Sequence, residues 1–306
     1  MRFRAVLNRD GGTLRTMDLD TFCAHANAVF ARAGHDLDCV VVSGKDVVGA
    51  LQAAADDPVI DAIIAGGGDG TISSAASIAF SSGKPLAILP AGTMNLFARA
   101  LHMPLDLNAA LDAIAAGRIE KIDIATANGR TFVHQFGVGI HARLVRIRNG
   151  MVYRSRIGKM FASLKAIATA AVNPPRFEVE LQTADGLITR TVSGIAVSNN
   201  PLGNAPVPVA ERLDAGVLGV YLASSVTTRE LFLLALDVVL GRWRLNTQVT
   251  EIEVDELVLR FPRRRRKRNL QAVIDGELIA LAKDIDLRIH PRGLTVIRPN
   301  DLLQDA

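Results

Sequence analysis

Cysteine is nearly absent from this chain of 306 residues, which contains only Cys23 and Cys39. The pair matches no metal-ligand spacing and is too small for a disulfide framework, so it is expected to be two incidental buried thiols in a reducing cytoplasm. Long apolar runs are missing too. The longest, LFLLAL at 231 to 236, is closed by Asp237, and the opening MRFRAVLNRDGG leaves no room for a signal-peptide apolar core. No membrane span is expected. The six histidines show neither HExxH spacing nor companion cysteines, which argues against zinc. GxxxxGK[ST] does not occur, so there is no P-loop, and the absence of GxSxG removes a nucleophile elbow.

Acidic residues vanish between Ala125 and Phe177, a stretch that carries nine Lys or Arg, among them Arg143, Arg146, Arg148, Arg154, Arg156 and Lys159. The net charge of +4 conceals a second basic zone, because RRRRKR at 263 to 268 supplies six positive charges and leaves the rest of the chain at −2. Either zone alone reads as a solvated face. Together they suggest one basic surface for an anionic partner. With 49% hydrophobic and 22% charged residues, the chain is ordinary globular material, long enough for two cores.

The first third alternates strand and helix. RFRAVLN (2 to 8), LDCVVV, VIDAIIA and PLAILP read as strands. Between them, residues 20 to 34 place Phe22, Ala26, Val29, Phe30 and Ala33 on one helical face, DVVGALQAAA reads as a second helix, and TISSAASIAF puts Ile72, Ala75, Ala76 and Ala79 on one face of a third. Repeated βα units predict a mainly parallel sheet with helices on both faces. Near residue 120 the pattern changes. IEKIDIATA, the hairpin signal Asn128-Gly129 and TFVHQFG read as two antiparallel strands, and RFEVELQT, LITRTVSGIAVS, GVLGVYLA, VTEIEVDELVLRF, NLQAVID and IDLRIHP continue in kind, with helices near 159 to 172 and 227 to 240. The expected architecture is a nucleotide-binding α/β domain (1–121) and a strand-rich antiparallel β-sandwich (122–306), with the extreme C-terminal segment free to return to the first domain. The active-site cleft is expected between them.

GGGDGT at 66 to 71 follows the third strand, at the edge where open parallel sheets bind ligands. Four glycines in five positions exceed the needs of a turn and suggest a backbone that approaches something bulky and polar. Glycine-loop amides opening onto a helix at Thr71 would hold phosphate, and Asp69 beside phosphate calls for a bridging cation such as Mg²⁺. The next strand repeats the device in LPAGTMNLFARAL, with Gly92, Thr93 and Asn95 at a helix start. GVGIHA at 137 to 142 fits a loose dinucleotide pattern but lies in the antiparallel region and reads as a decoy.

GGGDGT followed by PAGTMN resembles the catalytic domain shared by diacylglycerol kinases, sphingosine kinases and bacterial lipid kinases, and IDGE at 274 to 277 is similar to that family's C-terminal acidic motif. NRDGG at 8 to 12 resembles its nucleotide loop, with Arg9 in place of proline. IGKMFASLKAI and the segment from Ser198 to Leu222 fall where the family builds its lipid site. The resemblance implies an ATP-dependent lipid kinase. Asn8, Gly66, Gly67, Gly68, Asp69, Gly70, Thr71, Gly92, Thr93 and Asn95 would bind ATP, and Asp69 would belong to the Mg²⁺ network. Glu277 would be the general base on the lipid hydroxyl. The family's Asp-Gly-x-x-Asp is replaced near residue 215 by AGVLG, leaving Asp214 as the candidate second metal ligand, and Met94 and Leu96 replace its Gly and Asp in GTGNDFA.

A lipid acceptor gives the basic run a use: Arg263, Arg264, Arg265, Arg266, Lys267 and Arg268 would dock a cytoplasmic protein on the anionic inner face of the membrane. No nucleic acid is expected, since the run has no interleaved aromatics and no recognition module. Two other readings stay open. One is a soluble-acceptor kinase related to NAD kinase, although that family's Asn-Glu pair occurs nowhere here. The other is a non-catalytic regulatory protein that binds nucleotide and membrane.

Overall fold

The computed structural model of the protein describes residues 1–149, 174–205, 207–224, 227–262 and 271–300. Contacts divide the chain into two compact units. One comprises Met1–Ile124, Arg212–Asp214 and His290–Ala306, the other Ala125–Glu211 and Ala215–Ile289.

The first unit alternates as expected: β1 (Arg2–Asn8), α1 (Leu19–Arg32), β2 (Asp36–Val42), α2 (Val47–Asp56), β3 (Ala62–Gly67), α3 (Asp69–Ser82), β4 (Leu86–Pro90), α4 (Leu96–Ala100) and α5 (Leu107–Ala115). Helix α1 starts where Asp18 accepts the amides of Asp20 and Thr21, and it buries Phe22, Ala26, Val29 and Phe30. Ala33, expected on that face, caps the helix and is exposed. Ile72, Ala75, Ala76 and Ala79 are all buried along α3. The strands pair in parallel in the order β2-β1-β3-β4, and every residue of β3 and β4 is buried, as in a sheet covered on both faces. The chain leaves β2 at one side of β1 and returns as β3 on the other. This reversal puts the carboxyl ends of β1 and β3 side by side.

The second unit is strand-rich and antiparallel. After β5 (Arg118–Ala127) come β6 (Arg130–Phe132), β7 (Gln135–Gly139), α6 (Ile140–Asn149), β8 (Phe177–Thr183), β9 (Gly186–Asn199), β10 (Leu218–Ser224), α7 (Thr228–Val239), β11 (Val249–Val254), β12 (Glu256–Arg260), β13 (Gln271–Ile274), β14 (Glu277–Ala280) and β15 (Asp284–Arg298). Asn128 and Gly129 take φ 48° and 79°, the left-handed pair a two-residue hairpin requires. The core gathers Phe132, Phe136, Val138, Leu181, Ile195 and Leu287. The order runs β14-β13-β7-β9-β8-β12-β15, with β10 and β11 added from β9. Strand β15 then pairs Val296 with Leu86 of β4, in parallel. Among the described residues the fifteen strands belong to one mixed sheet, and the expected separate β-sandwich is seen only as a strand-rich antiparallel region.

Three local expectations change. Strand β3 continues through Gly67 because Gly66 and Gly67 pair with Leu89 and Pro90, so α3 begins at Asp69 rather than Thr71. TFVHQFG is broken between β6 and β7, where the Asp275 carboxylate draws the amides of Val133, His134 and Gln135 to itself (each 3.0 Å). VTEIEVDELVLRF breaks at Asp255 as the chain changes partners, from β10 to β8 and β15. The expected helix near 159 to 172, the segment IGKMFASLKAI, the basic residues Arg154, Arg156 and Lys159, and the run 263 to 268 lie outside the described residues.

Candidate active site

Three loops at the carboxyl ends of β1, β3 and β4 are bonded to one another. From the β1 end, Asn8 Nδ2 donates to Thr71 Oγ1 on α3 (3.0 Å), while its Oδ1 accepts the amide of Asp10 (3.0 Å). From the β3 end, the Asp69 carboxylate accepts the amides of Leu96 (2.8 Å) and Asn95 (3.3 Å). At the β4 end, Asn95 sits at φ 51°, and its side chain closes the PAGTMN turn by accepting from Gly92 N (2.8 Å) and donating to Gly92 O (3.1 Å). Thr93 is exposed on this turn and also engaged.

This arrangement revises the reading of the glycines. None of Gly66, Gly67, Gly68 and Gly70 has positive φ. A Cβ on Gly66 would meet Leu7 at 2.5 Å, one on Gly67 would meet Thr71 at 2.7 Å, and one on Gly92 would meet the Gly68 Cα at 2.8 Å. Most of the surplus therefore serves close packing of strand, helix and neighbouring loop. Gly70, with nothing within 4 Å of a Cβ, stands open. No side chain caps α3, and its first bonded amide is that of Ile72, to Gly68 O (3.1 Å). The amides of Asp69, Gly70 and Thr71 thus point out of the N-terminus of a 14-residue helix, where aligned peptide dipoles favour an anion.

The second unit holds the DGE turn. Asp275 and Gly276, at φ 45° and 86°, join β13 to β14, and Glu277 opens β14 with an exposed carboxylate paired to Arg130. Asp275, passed over in the sequence in favour of Glu277, is the better-anchored acid: it accepts three successive amides, and its own amide donates to Gln135 O (2.9 Å). Gln135 in turn lines a cavity of roughly 320 Å³ with walls from Ile140, Leu144, Leu202, Leu231, Leu234 and Trp243. Among its polar side chains are Gln135, His141 (Nε2 3.3 Å from Gln135 Nε2), Trp243, and Tyr221, whose hydroxyl accepts the amide of Leu202 (2.7 Å). Burial pushes the Tyr221 phenol up to about 12. GVGIHA is used here internally. Gly139 takes φ 78°, and a Cβ on Gly137 would strike the His141 ring. The cavity was not legible in advance, because its walls come from segments scattered between 135 and 249.

Residues 2–127 match the family described as the diacylglycerol kinase catalytic domain. The match covers less than half of the chain. A diacylglycerol kinase of Staphylococcus saprophyticus is 43% identical over 76 residues, covering 24% of this chain and 25% of that protein. One of Staphylococcus aureus is 45% identical over 76 residues, 24% of either chain. An uncharacterized protein of Synechocystis is 26% identical over 243 residues, covering 78% of this chain and 54% of that protein. The matches thus span about a quarter of the staphylococcal kinases and about half of the Synechocystis protein. Among solved structures, a Bacillus anthracis diacylglycerol kinase superposes with a TM-score of 0.74 at 21% identity, covering 99% of this chain and 98% of that one. A second Bacillus anthracis structure gives 0.78, also at 21% identity, over 98% and 96%. These similarities establish a shared fold.

The diacylglycerol kinase match contains all three loops and ends before β6, so Glu277 and the cavity lie beyond it. The matched family is one whose catalysis depends in general on nucleotide and metal. The exposed amides at the α3 N-terminus fit a nucleotide phosphate. Among the described residues no three His, Cys, Asp or Glu side chains cluster, but Mg²⁺ in such sites needs only one or two carboxylates beside phosphate and water. Asp69 fits that role with the lone pairs that Asn95 and Leu96 leave. Asp214 fits it less well, because Arg212 Nε stands 3.1 Å from its carboxylate.

Proposed function

We propose that this protein is an ATP-dependent lipid kinase that moves the γ-phosphate of ATP to a hydroxyl of a diacylglycerol-like or related lipid. The observation that carries the reading is the β3–α3 turn. A glycine-rich strand end opens onto an uncapped helix N-terminus with Asp69 in its first turn, within a diacylglycerol kinase catalytic domain.

On this reading the amides of Asp69, Gly70 and Thr71 receive phosphate oxygens, and Asn8, Gly66, Gly67, Gly68, Gly92, Thr93 and Asn95 shape the nucleotide site around them. Asp69 would hold Mg²⁺, whose charge would supply neutralisation of the transferring phosphate. Asp214 is left out of this assignment because Arg212 already matches its charge. Glu277 orients or deprotonates the acceptor hydroxyl, and Arg130 has to release the carboxylate for that step. The apolar cavity suits a lipid tail, and the Gln135 and His141 side chains suit the polar end beside the Asp275-anchored turn. No described helix is long and apolar enough to cross a membrane. We assign the protein to the cytoplasmic face, with Arg263, Arg264, Arg265, Arg266, Lys267 and Arg268 meeting anionic lipid at about 1 kcal/mol per cation.

The test is transfer of labelled γ-phosphate from Mg-ATP to a panel of lipids in mixed micelles. Asp69→Ala removes the charge and also strands the amides of Asn95 and Leu96, whereas Asp69→Asn keeps an acceptor for them. Both variants are expected to lose turnover by about a hundredfold or more. Asp69→Asn should keep its unfolding free energy within about 1 kcal/mol of the parent. Label appearing only in a water-soluble product would overturn the lipid acceptor. Full turnover by Asp69→Asn would remove the Asp69 charge from the mechanism.

A further inference from the structure

Helix α7 carries two apolar stripes on opposite sides. Leu231, Leu234 and Val238, spaced by three and four residues, line the cavity of the second unit. At 100° per residue, Phe232, Leu233, Leu236 and Leu240 fall on the far side with Val239 at its margin, and these five are 44% to 63% exposed. Beyond the helix, Leu245 is 80% exposed. A surface helix of a water-soluble protein needs one apolar stripe. The second, contiguous and exposed, marks a surface with a partner.

Charge selects the partner. Arg229 lies in the first turn in line with Phe232, Leu233, Leu236 and Leu240, and Arg242 follows the helix end; both are exposed. The acids of the helix are turned to local duties. Glu230 closes a capping box with Thr227, and Asp237 accepts from Asn246 Nδ2 (2.7 Å). An apolar stripe with a cation at either end matches a surface that is anionic outside and hydrocarbon within. It matches a second copy of itself poorly, because two-fold antiparallel pairing of α7 would set Arg229 against the other copy's Arg242.

We propose that α7 is the element that docks this protein on an anionic lipid bilayer, its outer stripe lying at the boundary of headgroups and acyl chains. The choice of a bilayer rests in part on the lipid-kinase reading, since one helix then separates the membrane from the cavity assigned to the lipid tail.

Cosedimentation with phosphatidylcholine vesicles, with and without phosphatidylglycerol, tests it. Replacing the outer stripe (Phe232→Ser, Leu236→Ser and Val239→Ser together) should weaken binding to the mixed vesicles about tenfold or more, at low and at high salt. A thermal melt no lower than the parent's shows that the variant is folded, as expected when exposed apolar groups become polar. Arg229→Gln with Arg242→Gln should weaken binding at low salt only. The stripe variant should keep turnover on a short-chain diacylglycerol dissolved as monomers and lose it on the same headgroup embedded in vesicles. Parent-like vesicle binding by the stripe variant overturns the proposal. So does retained binding together with conversion of a dimer to a monomer in light scattering, which would assign the stripe to a second copy. If the parent labels no lipid yet the stripe variant still loses vesicle binding, docking stands and the kinase reading falls.

Discussion

Tyr221 shows how one buried polar group in the cavity wall ties stability to pH. Its ring packs edge-on against Trp243 with centroids 5.2 Å apart, and at 7% exposure its hydroxyl satisfies the amide of Leu202. The folded chain holds the phenol proton up to about 12, whereas the unfolded chain releases it near pH ~10. The stabilisation is therefore complete below pH ~10 and is lost as pH rises through the folded value, an effect of order ~2–3 kcal/mol. Tyr221→Phe should cost about 1–3 kcal/mol at neutral pH by stranding the Leu202 amide. It should also flatten the alkaline fall in stability between about pH 10 and 12. Urea midpoints for both proteins across that range check the point, and parallel alkaline slopes would contradict it. Nothing in YLAS at 221 to 224 announces such a role, because it depends on a loop nineteen residues earlier in the chain. The position of Asp69 was legible, a carboxylate in the first turn of the helix that follows the glycines. That it also caps the start of α4 was not, since that bond joins two separate loops.

At the scale of elements, legibility followed the range of the forces involved. The βα alternation of the first unit is written in local periodicity and caps, and the strands and most helices to residue 100 stand close to where the pattern puts them. Helix α5 was passed over although Asp106 caps it by accepting from Asn108 and Ala109, a signal that was present in the sequence. The break in TFVHQFG could not be read locally, since its cause, Asp275, is more than a hundred residues away. The DGE turn thus divides its labour: Asp275 holds the backbone and Glu277 presents a carboxylate. Asp275→Ala should destabilise the protein by about 2–4 kcal/mol, because three amides lose their acceptor together. It should lower turnover as well, by loosening the turn that carries Glu277. Glu277→Gln should leave the melting temperature nearly unchanged, its Arg130 pair being exposed, while lowering kcat about a hundredfold. A Glu277→Gln enzyme with full kcat removes Glu277 from the mechanism. An Asp275→Ala protein of parental stability removes the anchoring role.

At the scale of the whole molecule, the first unit is not closed by its own N-terminal stretch. IDLRIHP was read as one more alternating segment of the strand-rich part, but β15 runs on to Arg298, and from His290 onward the chain belongs to the first unit. Alternation identifies a strand without naming its partner, and here the partner, β4, lies far back in the sequence. The returning segment buries Leu294, Val296 and Ile297 almost completely. It is also stitched to the end of the first 124 residues. Asp123 Oδ1 accepts the amide of Arg292 (2.8 Å), Arg298 pairs with Glu120 (2.9 Å), and Gly117 has no Cβ because Ile297 and the Arg298 carbonyl would lie within 2.8 Å of one. Three buried aliphatic side chains contribute about 1.5–3 kcal/mol each, comparable to the whole stability of a typical domain. Residues 1–124 expressed alone should therefore unfold at much lower urea and with a shallower transition than the same residues joined by a flexible linker to 284–300. Circular dichroism of the two polypeptides against urea decides it. If the shorter fragment unfolds as sharply and at the same midpoint, the returning strand adds nothing to this unit, and the boundary expected at residue 121 would be sufficient by itself.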